Sequence, residues 1–163
     1  MATGTSIQIG TLNIAGFSSP QSQAKKRKIL LSLREDIMGF TEVNSNPEIE
    51  SKLTNLMKPH YTLWSSGCCI WINAKSAATA SSPQSFLDGR VLMAEITWKD
   101  ITFPFVVIYG PAQTKDKLPF FNELKKMNFP SNTVFTGDYN SWRFEEDKLP
   151  IARLPAHSLS FLE

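Results

Sequence analysis

Three apolar segments of this chain each end in a carboxylate or an amide, and this pattern constrains the fold more than any other feature. The residues that close the segments are Asn13, Glu42 and, in the last one, Asp138 and Asn140. A charged or amide side chain is costly to bury without a partner, so each is expected where its strand emerges into solvent. The segments therefore predict a polar rim, able to bind a metal ion, at one edge of an apolar sheet.

Apolar periodicity along the chain predicts seven strands and three helices. The predicted strands cover residues 6–14, 36–42, 61–64, 68–73, 90–98, 102–109 and 133–138. The predicted helices cover residues 21–34 (with Ile29, Leu30 and Leu33 inward), 47–57 and 116–127. Residues 74–88, rich in Ala, Ser and Thr, are expected to form a surface loop. Helices between some strands and direct pairing of others indicate an α/β or α+β layered domain.

Length and composition fit one globular domain over residues 1–163. The chain is 42% hydrophobic and 20% charged, which excludes a disordered or fibrous protein. Its net charge of +2 does not by itself identify a partner.

The cysteines and the apolar runs predict an intracellular protein, nuclear or cytoplasmic. Cys68 and Cys69 are adjacent, and neighbours on a strand point to opposite faces, so we expect two small apolar strand residues without a disulfide. Residues 1–6 lack the regions of a signal peptide. No apolar run reaches the ~18 residues of a membrane span, so no membrane contact is expected.

The rim residues have the chemistry of a site for a hard metal ion and a phosphate. Mg²⁺ prefers oxygen ligands and keeps several waters, so one or two carboxylates hold it. Glu42 is the strongest metal candidate because it directly follows an apolar strand. Asp138 could deprotonate an attacking water, protonate a leaving oxygen or bind metal. The neutral Asn13 and Asn140 could orient a phosphate without repelling it.

The alternative interpretation is that each of these residues caps a turn or a strand end. Asn and Asp are common in turns because their side chains hydrogen-bond to nearby backbone. That interpretation is the stronger one for any single residue. It is the weaker one for all four in order, together with Tyr109.

Four ordered motifs resemble those of the endonuclease/exonuclease/phosphatase superfamily. They are Leu12-Asn13-Ile14, Phe40-Thr41-Glu42, Ile108-Tyr109-Gly110-Pro111 and Gly137-Asp138-Tyr139-Asn140. The finer resemblance is to the endonuclease domains of LINE-type (non-LTR) retrotransposons, which open with a similar strand, a basic helix and an Asp-Ile-x-Gly-x-x-Glu strand. The matching segments here are residues 12–16, 25–28, 36–42 and 89–92. Their order and spacing make the resemblance, because no single motif is specific.

The resemblance implies a four-layer α/β sandwich of the deoxyribonuclease I-like type, dependence on Mg²⁺ or Mn²⁺, and nicking of DNA. It implies that Glu42, Asn13 and Asp138 surround the metal. Tyr109 would contact the scissile phosphate, and Asn140 would orient it. Asp138 would also activate the nucleophile or protonate the leaving group. A reverse transcriptase domain of the same element is the further partner implied.

Residues near the end of the chain give one more prediction and one departure from the family. Trp142 and Arg143 directly follow the Gly-Asp-Tyr-Asn motif and are predicted to contact the edge of the substrate. The family's late Ser-x-x-Asp and Ser-Asp-His motifs are absent from the chain. The only histidines, His60 and His157, are interpreted as surface or turn residues.

Three alternative functions stay open at this point. A domain truncated before these motifs would be a remnant with weak or no catalysis. The chain could also act on a small phosphate ester or a phosphoinositide, or serve as a protein-interaction module on the same scaffold. Because those late motifs are absent, the domain is expected to be C-terminally truncated relative to the family and to lack its last strands. The sheet edge exposed in this way is expected to make the chain marginally stable or homodimeric.

Overall fold

The computed structural model describes residues 6–17 and 19–141, which form eight strands and three helices. In chain order these are β1 (Ile9–Asn13), α1 (Pro20–Ser32), β2 (Ile37–Thr41), α2 (Pro47–Met57), β3 (Tyr61–Trp64), β4 (Cys68–Ile72), β5 (Thr79–Phe86), β6 (Val91–Trp98), β7 (Ile101–Tyr109), α3 (Thr114–Lys126) and β8 (Val134–Asp138). Every predicted helix and strand is present, with ends that differ by a few residues, and β5 is additional.

The strands form two four-stranded sheets, named here sheet A and sheet B. Sheet A has the strand order β1-β2-β4-β3, and sheet B has the order β5-β6-β7-β8. β1 is parallel to β2, and β7 is parallel to β8, while the other neighbours are antiparallel. Parallel neighbours need a crossover connection, which α1 and α3 supply. The carboxyl ends of β1 and β2 therefore lie side by side, and so do those of β7 and β8.

The largest core cluster lies between the two sheets, which pack face to face. Ile37 and Ile70 of sheet A are fully buried against Leu92, Phe105 and Val107 of sheet B. Successive strand residues point to opposite faces, so the residues between them in β2 and β4 face outward from this interface. Both strands are consequently buried along their whole length.

Helices cover the outer faces of both sheets, which gives four layers. Leu30 of α1 and Leu53 of α2 pack with Phe40 on the outer face of sheet A. Phe121 and other apolar residues of α3 pack with Val106 on the outer face of sheet B. The order helix, sheet, sheet, helix confirms the predicted four-layer α/β sandwich.

Helix α1 buries a narrower face than the sequence pattern predicts. Leu30 is buried and Leu33 packs partly against the same cluster, but Ile29 is 52% exposed. Successive helical residues point about 100° apart, and the buried face of α1 is centred on Leu30, which leaves Ile29 on its exposed side. The inward position predicted for Ile29 is therefore wrong.

The predicted loop over residues 74–88 is also wrong in part, because it contains the edge strand β5. Almost all of its side chains are exposed, so the segment has no apolar alternation to reveal a strand. β5 pairs with β6, and the register shifts between Ser81 and Gln84, around Pro83. An edge strand tolerates proline at a bulge because its outer N–H groups need no partner strand. Backbone pairing with β6 supplies the order that the side chains do not.

Both cysteines are buried free thiols on β4, in agreement with the sequence analysis. Burial raises the pKa of Cys68 to about 12 and raises the pKa of Cys69 well above its usual range. The Cys68 thiol donates a hydrogen bond to the Arg90 carbonyl, with 3.3 Å between sulfur and oxygen. Within the described residues, no helix has the length and apolar character needed to cross a membrane.

Gly39 lies where the two sheets approach closely, and this contact gives a stability prediction. A Cβ atom at Gly39 would lie 2.6 Å from Thr136 Cγ2 and 2.9 Å from Val107 Cγ2. Both neighbours are β-branched and stiff, so Gly39→Ala should lower the free energy of unfolding by about 1–3 kcal/mol in urea denaturation. Gly10→Ala is the matched control, because its Cβ would meet the flexible end of Met38. Equal losses in the two variants would contradict the close approach.

Candidate active site

The predicted rim residues lie together where four strands end. Asn13 is the last residue of β1, and Glu42 directly follows β2. Tyr109 and Asp138 end β7 and β8 and are register partners. The packing of sheet A on sheet B brings these two pairs of strand ends to one edge of the sandwich.

A hydrogen bond between Asn13 and Asp138 joins the two sheets at this edge. Asn13 Nδ2 donates to Asp138 Oδ2 at 2.7 Å. Asn13 Oδ1 accepts from the Ala15 N–H at 2.8 Å, which fixes the orientation of the amide. The partners are 125 positions apart in the sequence, so only the tertiary fold can form this contact.

The turn after β8 is attached to the segment after β7. Asp138 Oδ1 accepts from the Asn140 backbone N–H at 2.9 Å, and the Gly110 N–H donates to the Asp138 carbonyl at 2.7 Å. Asn140 Nδ2 donates to the Gly110 carbonyl at 2.8 Å. Gly137 has a φ of +136°, and a Cβ there would clash with the Ile108 backbone. Glycine at this position therefore lets the turn lie directly against β7.

Glu42 reaches the rim through a backbone reversal after β2. Its φ is +55°, in the left-handed region, and its carbonyl accepts from the Gly16 N–H at 2.8 Å. The Thr41 carbonyl accepts from the Ile14 N–H at 3.0 Å, so the loops after β1 and β2 remain paired beyond the strands. Glu42 is half-buried in this position.

Two carboxylates act on the phenol of Tyr109. Partial burial raises the pKa of Tyr109, and the charges of Glu42 and Asp138 raise it further, while Arg90 opposes this rise. The phenol therefore stays protonated, and remains a hydrogen-bond donor, throughout the neutral pH range. The charges of both carboxylates thus act on one phenol, and Asp138 is also the register partner of Tyr109.

Arg90 is a rim residue that the sequence analysis noted only as part of a motif. Its guanidinium carbon lies 4.9 Å from the centre of the Tyr109 ring, and Nη1 donates to the Tyr109 carbonyl at 3.3 Å. The Tyr109 N–H donates to the Arg90 carbonyl at 2.7 Å. The Gly-Arg pair before β6 was the available signal, but pairing of β6 with β7 was needed to bring Arg90 to the tyrosine.

Lys117 of α3 is a second rim residue that the sequence analysis missed. It is 4% exposed, and its ammonium group donates to the Asn140 carbonyl. Burial lowers the pKa of Lys117, and the Asp138 charge opposes that change. The sequence did contain a signal for the burial of Lys117, because this residue has the helical spacing of the buried Phe120, Phe121 and Leu124.

The oxygen donors of the rim suit a hard divalent cation. The carboxylates of Glu42 and Asp138 are accompanied by the amide oxygen of Asn13, and each carboxylate oxygen has more than one lone pair. Within residues 6–17 and 19–141, no group of three or more His, Cys, Asp or Glu residues converges. Glu42, Asp138 and Asn13 are the residues of the rim that would supply oxygen donors to a divalent ion.

The remaining predicted residues lie elsewhere or outside the described part of the chain. His60 is exposed at the start of β3, at the end of sheet A opposite the rim, and stacks on Tyr61. In the basic segment 25–28 of α1, Lys26 donates to the carbonyl of Gly16 at 2.6 Å, so it supports the loop after β1. Lys25, Arg27 and Lys28 are exposed, and Trp142, Arg143 and His157 lie outside the described residues.

Comparison with known proteins shows a likeness of fold. No protein-family model and no curated protein matches the chain. D. rerio TDP2 complexed with a single-strand DNA product is 16% identical with a TM-score of 0.62, covering 94% of this chain and 67% of that one. An endonuclease/exonuclease/phosphatase family protein from Leptotrichia buccalis is 14% identical with a TM-score of 0.57. The match covers 83% of this chain and 67% of that one. A β-hairpin deletion mutant of beta toxin from Staphylococcus aureus is 13% identical with a TM-score of 0.63. The match covers 98% of this chain and 73% of that one.

The structure and these comparisons define the class of fold. Two four-stranded sheets with helices on both outer faces form the deoxyribonuclease I-like sandwich of endonuclease/exonuclease/phosphatase proteins. The fold predicted from the sequence is thus confirmed. The roles assigned to the rim residues remain predictions.

Substitution of Asn13 tests the hydrogen bond between the sheets. Asn13→Asp would place a second carboxylate against Asp138, and adjacent carboxylates repel unless one binds a proton. Without metal at pH 7, we expect this variant to be less stable than Asn13→Ala by on the order of 1 kcal/mol. In Asn13→Asp the repulsion raises the folded-state pKa of the carboxylate pair above its value in the unfolded chain. The variant therefore loses stability as the pH rises and regains it towards about pH 3, where the pair is protonated. Melting temperatures across this range in EDTA measure the effect, and a constant difference between the variants would contradict it.

Proposed function

We propose that this chain is a metal-dependent phosphodiesterase that cleaves DNA. The hydrogen bond from Asn13 to Asp138, beside Glu42 and Tyr109, is the observation that carries the proposal. In this proposal Glu42 binds the metal, Asp138 accepts a proton, and Asn13 and Tyr109 are neutral hydrogen-bonding groups at the same edge. The motif resemblance and the likeness of fold support the same reaction class.

The proposed metal site uses Glu42 as its main ligand, with Asp138 and the Asn13 amide oxygen beside it. A divalent ion bound there would offset the negative charge that develops on the phosphate oxygens. The Tyr109 phenol would donate to one of those oxygens. Asn140 has a second amide N–H besides the one that binds the Gly110 carbonyl, and this group would orient the same phosphate.

Asp138 is the proposed acceptor of the proton from the attacking water. The water oxygen forms a new bond to phosphorus while the bond to the leaving oxygen breaks. The water proton passes to the Asp138 carboxylate, and the leaving oxygen takes a proton from solvent. Hydrogen bonds from Asn13 Nδ2 and the Asn140 N–H hold the carboxylate oxygens in place for this transfer.

DNA is the proposed substrate, and a LINE-type retrotransposon is the proposed origin. The order of the sequence motifs supports that origin, and a DNA product is present in the structure of D. rerio TDP2. The chain would then nick target DNA in cooperation with a reverse transcriptase domain of the same element. Trp142 and Arg143 remain proposed contacts for the edge of the substrate.

The outer edge of β8 supports a proposed homodimer. Among the described strands β8 pairs only with β7, and Phe135 on β8 is 45% exposed. An open edge with an exposed aromatic side chain favours pairing with a second copy of the chain. Sedimentation equilibrium should detect a dimer that dissociates in Phe135→Lys. A wild-type monomer at high protein concentration would contradict this proposal.

Plasmid nicking in the presence of Mg²⁺ tests the proposed activity. The wild-type chain should convert supercoiled DNA to open circles. Glu42→Gln and Asp138→Asn should each slow this conversion by about 100-fold or more, because each removes a charge with little change in shape. Glu95→Gln and Asp100→Asn are matched controls on exposed positions away from the rim and should keep the wild-type rate.

Other outcomes distinguish the alternative functions. Mg²⁺ should raise the melting temperature of the wild-type chain but not of Glu42→Gln. A thermal shift without nicking would support the catalytically weak remnant. Hydrolysis of a phosphoinositide but not of DNA would support the small-ester alternative. Nicking that survives both Glu42→Gln and Asp138→Asn would contradict the proposed site.

A further inference from the structure

Lys117 is the one charged side chain that is buried within the described part of the chain. Removing an ammonium group from water costs several kcal/mol unless nearby dipoles and charges replace the lost hydration. Its neighbours on the same helical face, Phe120 and Phe121, are apolar. An apolar residue at position 117 would complete that face at lower cost, so packing alone does not account for a lysine.

The Lys117 ammonium group is directed at the turn after β8. It donates a hydrogen bond to the Asn140 backbone carbonyl, and the Asp138 carboxylate acts on it electrostatically. These two interactions replace part of the hydration that burial removes. Lys117 therefore links α3, on the outer face of sheet B, to Asp138 and Asn140 of the Gly-Asp-Tyr-Asn motif.

Asn140 is the residue through which this contact reaches the rim. Its φ of +49° lies in the left-handed region, which a non-glycine residue adopts at a cost. Its N–H donates to Asp138 Oδ1, and its side chain donates to the Gly110 carbonyl. The Asn140 carbonyl is one bond from the Asn140 Cα, which also carries the N–H and the side chain, so holding this carbonyl restricts the backbone rotation of Asn140 and supports both of these hydrogen bonds.

We propose that Lys117 is a positioning residue of the active site, which holds the Asn140 backbone so that the Asp138 and Asn140 side chains stay in their reactive orientations. This proposal rests on the phosphodiesterase function proposed above. Lys117 acts through Asn140 and does not itself touch the phosphate. Its loss should reduce turnover more than substrate affinity, because misplaced groups mainly affect the transition state.

Hydrogen exchange tests the positioning role without requiring any catalysis. Lys117→Met keeps the length and apolar stem of the side chain and removes the ammonium group. We expect the Asn140 amide to exchange at least about 10-fold faster in this variant, with little change at the Phe121 amide of α3. Lys115→Met, at an exposed position on the same helix, is the matched control and should leave both amides unchanged. Equal acceleration at Asn140 and Phe121 would show general destabilisation and overturn the proposal.

Kinetics with the conservative variant give the second measurement. Lys117→Met should lower kcat for nicking by about 10- to 100-fold with KM changed less than about 3-fold, and Lys117→Arg should restore part of kcat. Wild-type kcat in Lys117→Met, or a change confined to KM, would overturn the proposal.

If the wild-type chain does not nick DNA, the proposed function fails, and the exchange rate of the Asn140 backbone amide still decides whether Lys117 holds the turn. If Lys117→Met does not fold, the same exchange comparison is made with Lys117→Arg, where wild-type protection supports the proposal and its loss overturns it.

Discussion

Face-to-face packing of the two sheets is the interaction on which the rest of the structure depends. Neither sheet alone contains the rim, because Asn13 and Glu42 follow strands of sheet A, whereas Tyr109 and Asp138 end strands of sheet B. Burial of apolar side chains between the sheets sets their separation, and Gly39 permits a close approach to Val107 and Thr136. The hydrogen bond from Asn13 to Asp138 forms because this packing brings the two strand ends together.

The charges of the rim explain its layout. Glu42 and Asp138 both raise the pKa of the Tyr109 phenol, so negative potential is concentrated around one side chain. Arg90 and Lys117 approach the same region from β6 and α3 and offset part of that potential. The rim therefore combines two carboxylates with two cationic side chains. That balance is the physical basis of the proposed phosphodiesterase.

The sequence predicted the parts of the fold that have local signals. Buried strands such as β2 and β4 appear as short apolar runs, and the polar residue after each run marks the end that reaches solvent. The edge strand β5 has no such signal, since its exposed side chains do not alternate and its order comes from backbone pairing with β6. The inward position expected for Ile29 failed for a related reason, because apolar content shows that a helix has a buried face without fixing its rotation.

By itself, the sequence determined the fold class and named five residues that share the rim, because strand ends and apolar spacing are local properties of the chain. Only the tertiary structure decided which atoms meet there. Asn13 and Asp138 are separated by 125 positions, and neither carries a local sign of the other. Arg90 and Lys117 joined the rim for the same reason, since their partners are set by strand pairing and helix docking. Contacts between distant segments depend on how the layers pack, and a sequence pattern read along one segment does not contain that information.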